Sequence, residues 1–346
     1  APLMTQGLWG RMAGLLAGLL CAGPVSANEF ADRLVEDWHG FVEGAAGVRL
    51  DEHDLKHDDY SMLETRLQLK KRYFPEQFLA DYDAEFFFRA DVLLDGYYGW
   101  ETDTQVREGW LLFSPADFLD VKVGRQVFTW GTGDYIFVND LFPKDYVSFL
   151  IGRDDEYLKQ PSDGVKFAVY NDLANLDIVA IPFFEPNTLP AGDRLSFFDP
   201  FEGVIAGRSS DRLLIEPPRQ ASNTEYALRA YRTFGRYETA GYYFHGFYKN
   251  PVGYKNEALR QLYYPRLDVY GVSVRGPFGG GIGNLETGYY RSRDDSGGRD
   301  RLVQNSSVKL LAGYDRDLGD NLRMGGQYLY ERTLDYGSYR RALLPG

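Results

Sequence analysis

From residue 41 onward, apolar and polar positions alternate over short stretches separated by turn-rich segments. In residues 61–71, Leu63, Thr65, Leu67 and Leu69 fall on one face, and Glu64, Arg66, Gln68 and Lys70 on the other. Residues 85–94 repeat the pattern, with Phe86, Phe88, Ala90 and Val92 opposite Glu85, Phe87, Arg89 and Asp91. A period of two is that of a strand whose faces meet different surroundings. The same reading predicts strands over 41–50, 105–113, 119–130, 164–170, 176–181, 225–233, 237–248, 267–275, 282–292, 306–314 and 322–331, about thirteen in all.

The connections alternate as well. Tight turns are predicted at 114–117, 171–172, 234–236, 276–280 and 317–320, and long polar loops at 51–59, 131–161, 183–223, 249–264 and 293–301. Tight turns on one rim and long loops on the other describe an all-β fold, a transmembrane up-and-down antiparallel β-barrel of the bacterial outer membrane. A soluble β-sandwich produces the same alternation in sequence. The two differ in which face points outward: the apolar face in a membrane barrel, the polar face in a sandwich.

The first 27 residues read differently. Arg11 precedes a short apolar stretch at 12–23, and Val25-Ser26-Ala27 ends it in small residues. This predicts a secretory signal peptide over 1–27 and the barrel over 28–346. A lipoprotein signal at Cys21 is disfavoured by Leu20 before it. Bacterial single-chain barrels have even strand numbers, and the chain stops in a loop-like Leu343-Leu344-Pro345-Gly346. The expectation is therefore a chain lacking its last strands, with about 14–18 when complete.

Composition narrows the function. A mean hydropathy of -0.38 argues against a helical membrane protein but not against a barrel, in which every second residue faces water. A net charge of -12 argues against a nucleic-acid partner. The one cysteine lies in the leader, so the mature chain has no disulfide or thiolate chemistry. His39, His53, His57 and His245 sit in no nucleophile or zinc motif. No enzyme, catalytic residue, metal or cofactor is expected. His53 and His57 within the acidic 51–59 loop suggest a divalent-cation site, although a solvated acidic loop is the preferred reading. Aromatics make up 16% of the chain. Trp38, Tyr73, Phe74, Trp110, Trp130, Tyr242, Tyr243, Tyr289, Tyr314, Tyr328 and Tyr330 are expected at strand ends and outer faces, as girdles at the lipid boundary.

If the apolar face meets lipid, the polar face lines a lumen. Its basic members are Arg66, Lys70, Arg89, Arg107, Lys122, Lys166, Arg229, Lys309 and Arg323, and its acidic members Glu64, Glu85, Asp91, Asp120 and Glu286. The basic excess predicts an anion-selective channel; the alternative is a ladder of ion pairs that only keeps the lumen wet. The apolar content of 131–161, with Tyr135, Ile136, Phe137, Phe142, Phe149 and Ile151, is too high for a loop standing in water. It predicts a constriction folded into or across the barrel; an extra strand pair above the membrane is the alternative.

Gly124-Arg125-Gln126 followed by Trp130-Gly131 resembles alginate-export-type outer-membrane porins and related uncharacterised barrels. The resemblance implies a monomeric barrel passing an anionic polysaccharide through a lumen lined by arginine and lysine, and makes Arg125 a further candidate. Strict alternation from Val121 and Val123 instead points Arg125 at lipid. Either Gly124 marks a bulge that resets the phase, which is preferred, or Arg125 lies near the interface. The expected function is passive diffusion or export of anionic small solutes or polysaccharide. The expected partners are outer-membrane lipid and lipopolysaccharide. A structural or adhesive barrel plugged by its loops, and a sheath for a periplasmic partner, are the alternatives.

Overall fold

The computed structural model describes residues 37–50, 60–75, 79–133, 135–199, 203–207 and 213–343. The expected leader and the 51–59 cation site, with Cys21, His53 and His57, lie outside the described residues. The strands are β1 (His39–Val48), β2 (Tyr60–Tyr73), β3 (Glu85–Asp95), β4 (Glu101–Ala116), β5 (Leu119–Val127), β6 (Pro161–Val169) and β7 (Asn175–Ile181). The short β8 (Phe197–Asp199), β9 (Val204–Ala206) and β10 (Leu213–Ile215) follow in one loop. Then come β11 (Glu225–Phe234), β12 (Tyr237–Phe247), the short β13 (Gly253–Asn256) and β14 (Gln261–Tyr263), β15 (Arg266–Phe278), β16 (Gly281–Ser292), β17 (Ser307–Gly319) and β18 (Leu322–Thr333). Helix α1 (Tyr146–Ile151) lies between β5 and β6, and α2 (Tyr336–Ala342) follows β18.

Thirteen of these strands form one sheet in the order β1-β2-β3-β4-β5-β6-β7-β11-β12-β15-β16-β17-β18. Apart from the excursions into loop strands, each pairs with the next in chain order, and every pair is antiparallel. Tight connections at 117–118, 170–174, 235–236, 279–280 and 320–321 share one rim; 128–160, 182–224, 248–265 and 293–306 share the other. Two connections depart from the alternation. Residues 74–84 make a longer link on the turn rim, and 96–100 a brief one on the loop rim, where Asp95 accepts from the Tyr97 amide at 3.0 Å. Beyond the wall, β14 joins β10 and β13 in a small sheet linking two long loops.

The inside of the wall is identified by residues 128–160, which bond to β2, β3 and β4 through some residues and to β16 through others. Only the concave side allows that. On this side Glu64, Arg66, Gln68, Asp91, Gln126, Asp177, Glu225 and Glu286 are buried. The outer side exposes Leu67, Leu69, Phe88, Val123, Phe167, Tyr226, Tyr270, Val272, Leu285, Tyr289 and Leu310. A soluble sandwich has the opposite polarity, and soluble surfaces rarely expose contiguous apolar patches of this extent. The wall is that of an up-and-down membrane β-barrel, and its outside is solvated by lipid. Among the described residues its edges, β1 and β18, have one neighbour each.

Two expectations require correction. The predicted bulge at Gly124 is absent: β5 keeps continuous register with β4 from Gly109↔Arg125 to Phe113↔Val121, and with β6 throughout. The phase reset lies on β4, where Arg89 pairs with Glu108 but Ala90 with Val106, so Arg107 is the extra residue. That reset turns Trp110 inward, where it stacks on Phe87 at 5.1 Å. Trp130 and Tyr242 also belong to the interior, packed with Phe142. These three aromatics are therefore no part of a lipid girdle. Tyr243, Tyr270 and Tyr289 do face outward as a row of neighbouring rings, with centroids 5.1 and 6.4 Å apart.

Candidate functional site

The interior site is the lumen together with the segment 128–160 that crosses it. Leaving β5, the chain packs Phe128, Trp130, Val138 and Phe142 against Val179, Ala227, Phe244, Val269, Tyr290 and Leu311 of the inner wall. Alternate residues of β16 then bind its backbone. Asn284 Nδ2 donates to the Thr132 carbonyl at 3.1 Å, and Tyr290 Oη to the Val138 carbonyl at 2.5 Å. Between them, Glu286 accepts from the amides of Thr132, Gly133 (3.2 Å) and Asn139 (3.2 Å), and from Asn139 Nδ2 (3.3 Å). A buried carboxylate is tolerated only when hydrogen bonds or charges replace its hydration; here converging amides do so. Gly271 on β15 makes room for the same contact, because a Cβ there would lie 1.7 Å from Asn139 Oδ1.

Residues 144–160 return to the opposite wall. Lys144 is buried, bonded to Asp140 (2.9 Å) and the Phe142 carbonyl (2.8 Å), and burial lowers its pKa despite Asp140. Asp145 caps α1 by accepting from the Ser148 amide at 2.9 Å. Arg153 binds Glu64 with both arms at 2.9 and 2.6 Å. Tyr157 lies between two guanidiniums, Arg66 at 3.8 Å and Arg107 at 4.9 Å from its ring, and its hydroxyl accepts from Gln68 Nε2 at 3.1 Å. Burial raises this phenol to about 12, so it stays neutral. Arg194, from the 182–224 loop, also grips Glu64 (2.9 Å) and Asp95; burial opposes its charge, but those carboxylates hold its pKa above the ordinary value. Glu225 with Lys249 (2.5 Å) fixes the start of the 248–265 loop.

This geometry locates the anticipated lumen residues. Arg66 is buried in a 2.8 Å pair with Asp91. Arg89 bridges Glu108 (3.0 Å) and Glu156 (2.9 Å). Arg107 donates to the carbonyls of Glu156 and Lys159 at 3.2 and 3.1 Å. All three hold the crossing segment to the wall. On the turn-rim side of it, Lys166 pairs with Asp177 (3.2 Å), and Arg229 with Glu238 (2.7 Å) while stacking on Tyr231. Lys309 pairs with Glu331 (3.5 Å) and Arg323 with Asp315 (4.0 Å). Lys122 lies 3.7 Å over the Trp110 ring, directly opposite Lys166 in the register. Next to it, Phe87 sits between Trp110 and Arg72, so a cation flanks each end of the aromatic pair.

Arg125 is the exception, lying outside the lumen. Its neighbour across the strand, Gly109, pairs with outward-facing Phe88, and Arg125 bonds to the Val106 carbonyl (2.9 Å) and Asp163 (3.4 Å) near the loop rim. Gly124 before it has φ 127°, and a Cβ there would lie 2.3 Å from the Gly109 carbonyl oxygen. Gly124→Ala is expected to destabilise the β4–β5 wall by about 1–3 kcal/mol. The check is the midpoint of urea unfolding in lipid vesicles; an unchanged midpoint would show that the strand relaxes freely.

Missed from sequence were the groups supplied by loops: Asp140, Lys144, Arg153, Tyr157, Arg194 and Lys249. Alternation assigns faces to strand residues but says nothing about what a loop carries back inside. The apolar run from Tyr135 to Ile151 was the available signal, and it pointed to the right segment.

No family model matches the sequence, and no curated protein matches it. Among solved structures it is similar to OmpF of Salmonella typhi in complex with daunomycin, at 9% identity and TM-score 0.43, covering 86% of this chain and 78% of that one. It is also similar to an Rh. blastica porin mutant (10%, TM-score 0.40, 85% and 93%) and to OprB of Pseudomonas putida at high pH (13%, TM-score 0.41, 91% and 79%). At TM-scores this low, the fold rests on the register and on the two faces of the wall. That inverted polarity on strands places the chain in a bacterial outer membrane.

Proposed function

We propose that the protein is a passive outer-membrane channel for small hydrophilic solutes, narrowed by residues 128–160. The observation carrying this reading is the double anchorage of that segment, on Glu286 of β16 and on Arg66, Arg89 and Arg107 of β2–β4. A fixed constriction with polar walls on either side suits selection by size and weak multisite contact. A modest preference for anions rests on Lys122, which stacks on Trp110 and faces Lys166. The preference is modest because most other lumen cations have carboxylate partners. An acidic sugar is the favoured solute class, since Arg72 and Lys122 cap the two ends of the stacked Phe87–Trp110 pair and set cations beside its apolar ring edges. The alginate-type assignment has no support beyond its short motif.

The test is reconstitution in planar bilayers. Steady single-channel conductance, with anions passing more readily than cations, is expected. Lys122→Glu should reverse that preference without closing the channel. A silent bilayer would favour the loop-plugged barrel; unchanged selectivity in the variant would remove Lys122 from the argument.

A further inference from the structure

The outer face carries a charged cluster that the channel does not use. His245, Asp268 and Arg291 are successive cross-strand neighbours on β12, β15 and β16. Their phase is that of Tyr226 and Tyr270, so they point away from the lumen. Asp268 is buried and collects its neighbours: His245 Nδ1 at 2.8 Å, Arg293 at 3.6 Å and Arg291 at 3.8 Å. Arg293 also approaches the His245 ring at 3.2 Å. Arg266 sits beside Arg293, whose amide donates to the Arg266 carbonyl at 2.9 Å. The Arg266 side chain is exposed, and its own amide donates to Asp294 at 3.1 Å.

Three features single out this group. It lies on the lipid-facing surface at the loop rim, one step along the strands from the outward row Tyr243–Tyr270–Tyr289. Such tyrosines mark the boundary between hydrocarbon and headgroups, so the cluster sits at headgroup depth. Its contacts to Asp268 are also loose for the guanidiniums, at 3.6 and 3.8 Å, which leaves their N–H groups able to turn to another anion. Finally, the group brings three arginines, Arg266, Arg291 and Arg293, together around Asp268 and Asp294, although the chain as a whole carries -12. Guanidiniums present parallel N–H donors that match phosphate oxygens.

We propose that Arg291 and Arg293, oriented by Asp268 and His245, together with the neighbouring Arg266 bind the phosphate of an outer-leaflet glycolipid headgroup. The lipid is the source, rather than free phosphate, because the site opens sideways into the membrane above the tyrosines, where an acyl-anchored phosphate is concentrated. The proposal rests on the membrane wall and is independent of what the lumen passes.

The test uses the full chain reconstituted in phosphatidylcholine vesicles containing lipid A with both phosphates. Lipid retained per barrel after detergent extraction is measured by mass spectrometry. Wild-type protein is expected to retain it, and Arg291→Ala/Arg293→Ala to lose most of it while conducting normally. Arg291→Lys/Arg293→Lys should restore part of the binding. Dephosphorylated lipid A should be retained by neither. Equal retention by the wild type and the double alanine variant would overturn the proposal. Displacement by inorganic phosphate at a concentration equal to that of the lipid would also overturn it, by revealing a free-anion site. Failure to insert into the vesicles would sink the membrane wall itself, and normal conductance in the variants separates the two failures.

Discussion

Glu286→Ala should widen the channel and make its current noisy, raising the single-channel conductance severalfold. The carboxylate is the sole side-chain acceptor for the amides of Thr132 and Gly133 among the described contacts, and it accepts from the Asn139 amide and from Asn139 Nδ2, which also reaches the Val272 carbonyl. A buried donor left without an acceptor costs about 1–3 kcal/mol. Water from the lumen would satisfy some of these amides, which lowers the penalty but admits water between segment and wall. The segment would keep its second attachment through Tyr157 and Arg153, so it should swing away from β16 rather than unfold. Glu286→Gln retains one acceptor oxygen and should give an intermediate conductance. Protease cleavage between residues 128 and 145, absent in the wild type, should follow the same order. Wild-type conductance in Glu286→Ala would show that the segment does not set the pore width.

How much of this was legible in the sequence depends on which contacts decide each feature. The meander was legible because each strand carries its own period-two pattern, as in Leu63 to Lys70, and adjacent strands need only short connections to pair. Membrane residence was legible only as one of two readings. Burial of Glu64 and exposure of Leu67 decided it, and both depend on the curvature of the assembled sheet. The phase reset was misplaced because Gly124 looked like a bulge, with its flexible backbone beside an awkward arginine. The actual extra residue, Arg107, is held by the carbonyls of Glu156 and Lys159, which lie about fifty residues away. No local pattern carries that information. The same is true of the lumen cations: their faces followed from alternation, but their partners come from loops.

Breaking the Arg66–Asp91 pair tests whether these cations serve structure or solute. Both groups are almost fully buried, and Arg66 also supports the Tyr157 ring. Asp91→Ala leaves a guanidinium uncompensated, and removing one partner of such a pair costs about 3–5 kcal/mol. Unfolding in urea from lipid vesicles should therefore shift to markedly lower denaturant, with the crossing segment loosened because Arg66, no longer held by Asp91, loses its place over the Tyr157 ring. Arg66→Met/Asp91→Leu removes both charges and fills the space. Replacements of that kind are often neutral or stabilising by about 1–4 kcal/mol, so the double variant should recover most of the lost stability. It should also keep wild-type ion selectivity, because Arg66 reaches Asp91 and Tyr157 rather than open lumen. A selectivity change in a stable double variant would return Arg66 to the solute path, and with it the case for a strongly anion-selective channel. Lys122→Glu is expected to give the opposite result, altering selectivity with little effect on unfolding. The two variants thus separate cations that hold the constriction from the one proposed to meet the solute.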